Sequence, residues 1–173
     1  MKRMKLVLMS ALLFVSLACA AQSDTLKKES QLVWYTDIMK ANEVSVATHK
    51  PLFALFTGSD WCGWCKRLQS TVLSKPAFIE WANKNVVLVE LDFPRSKAQS
   101  PELMQQNQGL QQAFKVQGYP TIWVFNLSKN SDGQRYDINA LGSLGYPQGA
   151  EQGKEEVKFL QDANALFEKK ETK

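Results

Sequence analysis

Cysteine is scarce in this chain: three in 173 residues, at positions 19, 62 and 65. That excludes a disulfide framework, because only Cys62 and Cys65 fall in the folded part and they stand three apart. About 150 residues can bury a sufficient core without such staples. Histidine is scarcer still. The single His49 precedes Lys50-Pro51 and reads as a surface or loop residue. Tetrahedral zinc needs four ligands, and there is no second Cys pair to supply them. No internal repeat is visible. The longest apolar run, Leu6 to Leu17, is about a dozen residues, where a membrane-spanning helix needs about 20.

Charge of one sign is also lacking. The chain carries 21 basic and 17 acidic side chains, a balance of +4. Lys2, Arg3 and Lys5 lie ahead of the apolar run, and removing them takes the balance to +1. Near neutrality there is no general attraction to nucleic acid or to an anionic membrane.

What is there begins with the N-terminus. A positive stretch, an apolar run and the small residues Ala18, Cys19, Ala20 and Ala21 occur in the order of an export signal. Residues 1–20 therefore read as a signal peptide, with a buried core helix or an uncleaved anchor as the competing readings. Cleavage after Ala20 or Ala21 and lipidation at Cys19 both fit the pattern. Either way the expected location is the periplasm. Residues 21–35 read as a flexible lead-in and 36–173 as one folded domain.

Leu52-Phe53-Ala54-Leu55-Phe56 is a continuous apolar run of strand length, which suits a strand buried on both faces. Val86 to Phe93 is a second such strand, Thr121 to Leu127 a third, and 135–144 a fourth after the Asn130-Ser131-Asp132-Gly133 turn. Helices are expected over 36–48, from about Cys62 to Leu73, from Pro76 to Trp81, after Ser100-Pro101, and over 151–169. Ser100 and Pro101 have the chemistry of an N-cap and first turn. Leu103, Leu110 and Phe114 share one face of the helix that follows, and Phe159, Leu160, Ala163, Leu166 and Phe167 form a stripe on the last. The order predicts an α/β fold, a central mixed sheet with helices on both faces.

Trp61-Cys62-Gly63-Trp64-Cys65-Lys66 carries the chemistry. It follows a buried strand and opens a helix. Thiols at i and i+3 lie on one helical face and can close a disulfide over one turn. The first-turn cysteine sits at the positive helix end among free N–H groups, which favours thiolate over thiol. Cys62 is thus expected to be the exposed nucleophile. Cys65, one turn inside, is expected to be more buried and to resolve the mixed disulfide. A static disulfide and a metal site bridging two chains are the other readings of the pair. Gly118-Tyr119-Pro120-Thr121, about 55 residues on, precedes a strand. A cis bond before Pro120 would turn the Tyr119 backbone groups toward a substrate chain, whereas a plain strand-entry proline would not. Trp61 and Trp64 flank the nucleophile as an apolar platform or as packing groups, Trp61 the more packed. Lys66 either supports the thiolate or is simply solvated.

These two motifs, in this order and spacing, resemble the thioredoxin superfamily over about residues 45–168. Phe56-Thr57-Gly58-Ser59-Asp60-Trp61-Cys62 and Val89-Glu90-Leu91-Asp92-Phe93-Pro94 resemble more narrowly the periplasmic DsbH-type thioredoxin-like proteins. The resemblance implies a thioredoxin-like fold, a nucleophilic Cys62, a resolving Cys65 and a cis Pro120. It implies no cofactor beyond the redox-active disulfide. Its implied partners are exported proteins bearing disulfides and a membrane electron donor for re-reduction. One departure stands out: the family's buried Asp, six residues before the nucleophile, is Phe56 here. Glu90 and Asp60 are the candidate proton acceptors in its place, each also readable as a surface or paired carboxylate. Reduction or isomerisation of disulfides is the leading function. A disulfide-donating oxidant and a non-catalytic substrate-holding module are the alternatives. Gly63-Trp64 offers no cation between the cysteines, which argues against a strong oxidant.

Overall fold

The computed structural model describes residues 31–168. The expected signal peptide and most of the lead-in lie outside them. Along the described chain run β1 (Trp34–Tyr35), α1 (Ile38–Thr48), β2 (Leu52–Thr57) and α2 (Gly63–Leu68), which passes into a π turn (Gln69–Leu73). There follow α3 (Pro76–Asn85), β3 (Val87–Asp92), α4 (Pro101–Ala113), β4 (Thr121–Lys129), β5 (Tyr136–Leu144) and α5 (Glu155–Glu168). The strands form one mixed sheet in the order β1-β3-β2-β4-β5. β1, β3 and β2 run parallel, and β4 and β5 are antiparallel to their neighbours.

The unbroken apolar character of β2 follows from its central place, since successive side chains point to opposite faces and both faces are covered. Phe53 and Leu55 join one core with Leu68, Val72, Phe78, Leu88, Ile122 and Phe159. Leu52, Ala54 and Phe56 join the other with Ala41, Val89, Leu91, Phe114 and Phe125. α2, α3 and α5 cover the first face; α1 and α4 cover the second. Local chemistry sets the helix starts. Asp37 accepts from the N–H groups of Met39 and Lys40, and Ser100 accepts from Leu103 ahead of Pro101. His49 is the exposed left-handed cap that ends α1.

Two expectations are corrected. The lead-in does not extend to residue 35, because Trp34 and Tyr35 already pair with Leu88 and Val89. Their side chains alternate between the two cores, which gives a two-residue strand enough burial to hold the sheet edge. The helix expected from Cys62 to Leu73 is one continuous run but not uniformly α: the Ser74 N–H reaches the Gln69 carbonyl at 3.0 Å, an i to i+5 bond. At the far side α5 closes tightly on β5 at Gly142. A Cβ there would meet Leu166 Cδ2 at 2.6 Å.

Candidate active site

β2 ends at Thr57, and four residues later the chain turns into α2 through Trp61 and Cys62. The turn is closed by the Cys62 N–H on the Gly58 carbonyl at 2.8 Å. Cys62 is the N-cap of α2: its Sγ accepts the Cys65 N–H at 3.1 Å. The two cysteines form a disulfide, with Cα atoms 5.3 Å apart. Cys62 is 5% exposed and Cys65 7%. The expected contrast between an exposed Cys62 and a buried Cys65 is therefore absent in this oxidised form. A bonded sulfur that also caps a helix is turned inward.

The Tyr119–Pro120 bond is cis, and the Tyr119 ring meets the Trp61 ring edge to face at 5.9 Å. This contact sets the second motif beside the residue that precedes Cys62. Trp61 is held on several sides. Its Nε1–H donates to the Phe93 carbonyl at 2.8 Å. The Arg95 guanidinium lies 3.8 Å from its ring centre. Gly58 leaves room for it, since a Cβ there would come within 2.6 Å of the indole nitrogen. Trp64 is the more exposed of the pair, 53% against 37%. It still packs on Tyr146 at 5.0 Å, with Arg67 over both rings and 3.7 Å from the buried Glu155. Gly63 is exposed, and a side chain there would meet nothing within 4 Å. Lys66 donates its ammonium to the Asp60 carbonyl at 2.9 Å.

The candidate proton acceptors separate. The Asp60 carboxylate accepts from the N–H groups of Arg95 and Ser96 and from the Ser96 hydroxyl. Those bonds, the Ser96 ones first, hold its pKa down at about 2. It is a clamp on the 93–96 segment and not a proton acceptor at neutral pH. Glu90 is half-buried on β3, opposite Leu55 of β2. It shares with Cys65 a cavity of about 420 Å³, also lined by Trp34, Gln69 and Ser70. Burial holds its carboxyl above the ordinary value, with the negative charge of Asp92 adding to the effect and Lys97 opposing it. Phe56, by contrast, belongs to the opposite core.

Asp60→Asn is expected to free the segment it clamps, read as faster hydrogen exchange at the Arg95 and Ser96 amides. The sign with pH follows from the lowered pKa. The clamp's contribution is complete above the ordinary 3.8 and is lost as pH falls through about 2. Unchanged exchange in the variant at neutral pH would contradict this.

Sequence reasoning missed Arg67, Arg95, Ser96, Tyr146 and Glu155. Arg95 and Ser96 directly follow the Phe93-Pro94 pair and could have been noted there. Tyr146 and Glu155 reach the site only through the fold and leave no local pattern.

A redox pair at the head of a helix after a central strand, with a cis-proline turn alongside, is the arrangement that thioredoxin-like proteins share. Residues 39–137 match the Thioredoxin-like domain family, and the chain belongs to it. It is 41% identical to the disulfide bond reductase DsbH of Chlamydia pneumoniae over 83 residues, 48% of this chain and 50% of that protein. It is 29% identical to the thioredoxin-related protein DsbJ of Chlamydia pneumoniae over 153 residues, 88% of this chain and 42% of that one. The chain thus matches about half the length, or less, of these relatives. Among solved structures, a DsbH oxidoreductase superposes with TM-score 0.65 at 28% identity, covering 80% of this chain and 85% of that one. A thioredoxin from Thermus thermophilus, at TM-score 0.53 and 18% identity, shares the fold, over 78% of this chain and 86% of that one.

Proposed function

We propose that the chain is a periplasmic thiol:disulfide oxidoreductase that reduces or isomerises disulfides of exported proteins. The observation that carries this reading is the Cys62–Cys65 disulfide with Cys62 Sγ as the helix cap. In the reduced pair, the same Cys65 N–H and the helix start favour a Cys62 thiolate. That thiolate attacks one sulfur of a substrate disulfide, forms a mixed disulfide and releases the other sulfur as a thiolate. Cys65 then attacks Cys62 Sγ, closes the internal disulfide and releases the second substrate thiolate. Two electrons pass to the substrate, so a dithiol donor, proposed to be membrane-bound, must restore the pair. Trp61, Trp64, Tyr119 and Pro120 form the rim offered to the substrate chain; the Trp61–Tyr119 contact supports placing them together. The export pattern of residues 1–20 supports the location.

The direction of flow is a question of potential. The interior of the pair is Gly63-Trp64, without a cation, and the Lys66 ammonium is turned to the Asp60 carbonyl. The reduced thiolate therefore gains little beyond the helix start. Equilibrated against glutathione and followed by tryptophan fluorescence, the protein is expected to show a midpoint nearer thioredoxin's, about −270 mV, than a strong oxidant's, about −120 mV. A midpoint near the latter, with rapid oxidation of reduced unfolded proteins, would reverse the assigned direction.

A further inference from the structure

The surface around the redox pair sorts its charges by depth. Lys66, Arg67, Arg95 and Lys97 are exposed. The carboxylates among them lie deeper: Asp60, Glu90 and Asp92 are half-buried and Glu155 is buried. At a distance the two sets cancel, but an approaching chain meets the cations first. The carboxylates are also turned to the protein. Asp60 accepts from the Arg95 and Ser96 N–H groups. Asp92 accepts from the Ser59 N–H at 2.8 Å and the Ser59 hydroxyl at 2.6 Å. Glu155 faces Arg67, and Glu90 lines the cavity beneath α2.

The cations are less committed. The Lys66 and Lys97 ammonium groups reach neutral oxygens, the Asp60 carbonyl at 2.9 Å and the Ser59 hydroxyl at 3.3 Å. The Arg95 guanidinium makes no ion pair among the described residues. It lies over the Trp61 ring, 3.8 Å from its centre. Arg67 lies over the Trp64 ring at 5.5 Å and is held by Glu155 at 3.7 Å. The tryptophans on either side of Cys62 in the chain thus each carry a guanidinium. An arginine packed on an aromatic face keeps its N–H fork for a carboxylate, already oriented.

We propose that these two arginines, Arg95 foremost, read carboxylates beside the substrate cystine, so that the favoured partner is an acidic segment bearing a disulfide. The inference rests on the oxidoreductase reading above and names its substrate class. Arg95 adjoins the cis Tyr119–Pro120 turn through the Trp61–Tyr119 contact. A substrate chain laid against that turn brings an acidic neighbour of its cysteine to the Arg95 fork, where the pair is bidentate. Arg67, tied to Glu155, is the weaker reader. Lys66 and Lys97 add positive field without a fork. The preference is local, because the chain beyond residues 1–20 has a balance of only +1.

Three synthetic peptides test this, equal in length and each closed by one disulfide, with Glu, Gln or Lys beside both cysteines. The full chain carrying Cys19→Ser is reduced and mixed with each peptide, and oxidation of the pair is followed by tryptophan fluorescence. Arg95→Gln is expected to lower the ratio of the Glu-peptide rate to the Lys-peptide rate about 10-fold at low salt, with the Gln peptide between them. Each peptide's own reactivity cancels in this comparison of chains. Arg95→Lys, which keeps the charge and loses the fork, is expected to lower the ratio less. In about 1 M salt, where screening acts over about 3 Å, the parent and variant ratios are expected to converge. An unchanged ratio in Arg95→Gln, or a slowing by the same factor for all three peptides, would overturn the proposal; the second result would make Arg95 only a support for Trp61. Failure of the oxidoreductase reading would look different: no peptide would be reduced above the uncatalysed background.

Discussion

Cys62→Ser is expected to abolish reduction of insulin-type disulfides, to the level of the uncatalysed background. The expectation follows from position. Cys62 Sγ is the atom that receives the helix N–H, and a serine hydroxyl there stays protonated at neutral pH and is a poor nucleophile toward sulfur. Cys65→Ser leaves the attacking group in place and removes the resolving one. The two variants therefore fail differently: the first makes no covalent contact with a substrate, and the second makes a contact it cannot release. The remaining machinery is unaffected, because Trp61 is fixed by Phe93 and Arg95 and Asp60 by Ser96, independently of either sulfur. Equal residual activity of the two variants, well above background, would contradict the division of roles.

The second large effect concerns stability. Phe53 is fully buried on β2. Its ring meets those of Trp34, Phe78, Trp81 and Phe159 at centroid distances of 5.9–6.3 Å. It thereby joins β1, α3 and α5 to the central strand. Phe53→Ala removes the shared member of that cluster. The surrounding rings belong to three separate elements and cannot all collapse into the gap. The expected cost is about 3–5 kcal/mol, a large share of the roughly 5–15 kcal/mol that holds a domain folded. In thermal unfolding that is a fall in Tm of roughly 10–20 °C. A loss under about 1 kcal/mol in denaturant titration would show that the cluster repacks freely.

Much of this architecture was legible before any coordinates. The apolar run of β2 announced burial on both faces because no single-sided strand needs Leu, Phe, Ala, Leu and Phe in succession. The redox pair and its helix lie within one short contiguous motif, so local chemistry sufficed; the cis bond at Pro120 was implied by the family resemblance, because a plain strand-entry proline has the same local sequence. What escaped lay in pairings between distant segments. Trp34 and Tyr35 form a strand only because β3 offers them an edge. The expected face of α4 does meet the core, with Phe114 buried and Leu110 packed against it, but the buried Asn107 was not foreseen; its amide donates to the Asp92 carbonyl at 3.0 Å, a partner that no periodicity reveals. Glu90 and Asp60 were equal candidates in the sequence. They part only when the register sets Glu90 opposite Leu55 and the 93–96 segment folds back onto Asp60. The exposure of Cys62 was misjudged for a related reason: the sequence describes a thiol at a helix start, whereas the structure holds it bonded and turned inward.

The most direct test of the central claim, that Cys62 attacks and Cys65 resolves, is trapping. The Cys65→Ser chain, with Cys19→Ser to remove the other thiol, is incubated with a disulfide-bearing exported protein, quenched with acid and mapped by mass spectrometry. The account predicts a covalent adduct through Cys62, dispersed by dithiothreitol and absent from the Cys62→Ser chain. An adduct formed through Cys65 in the Cys62→Ser chain, at a rate equal to or above that through Cys62, would contradict it.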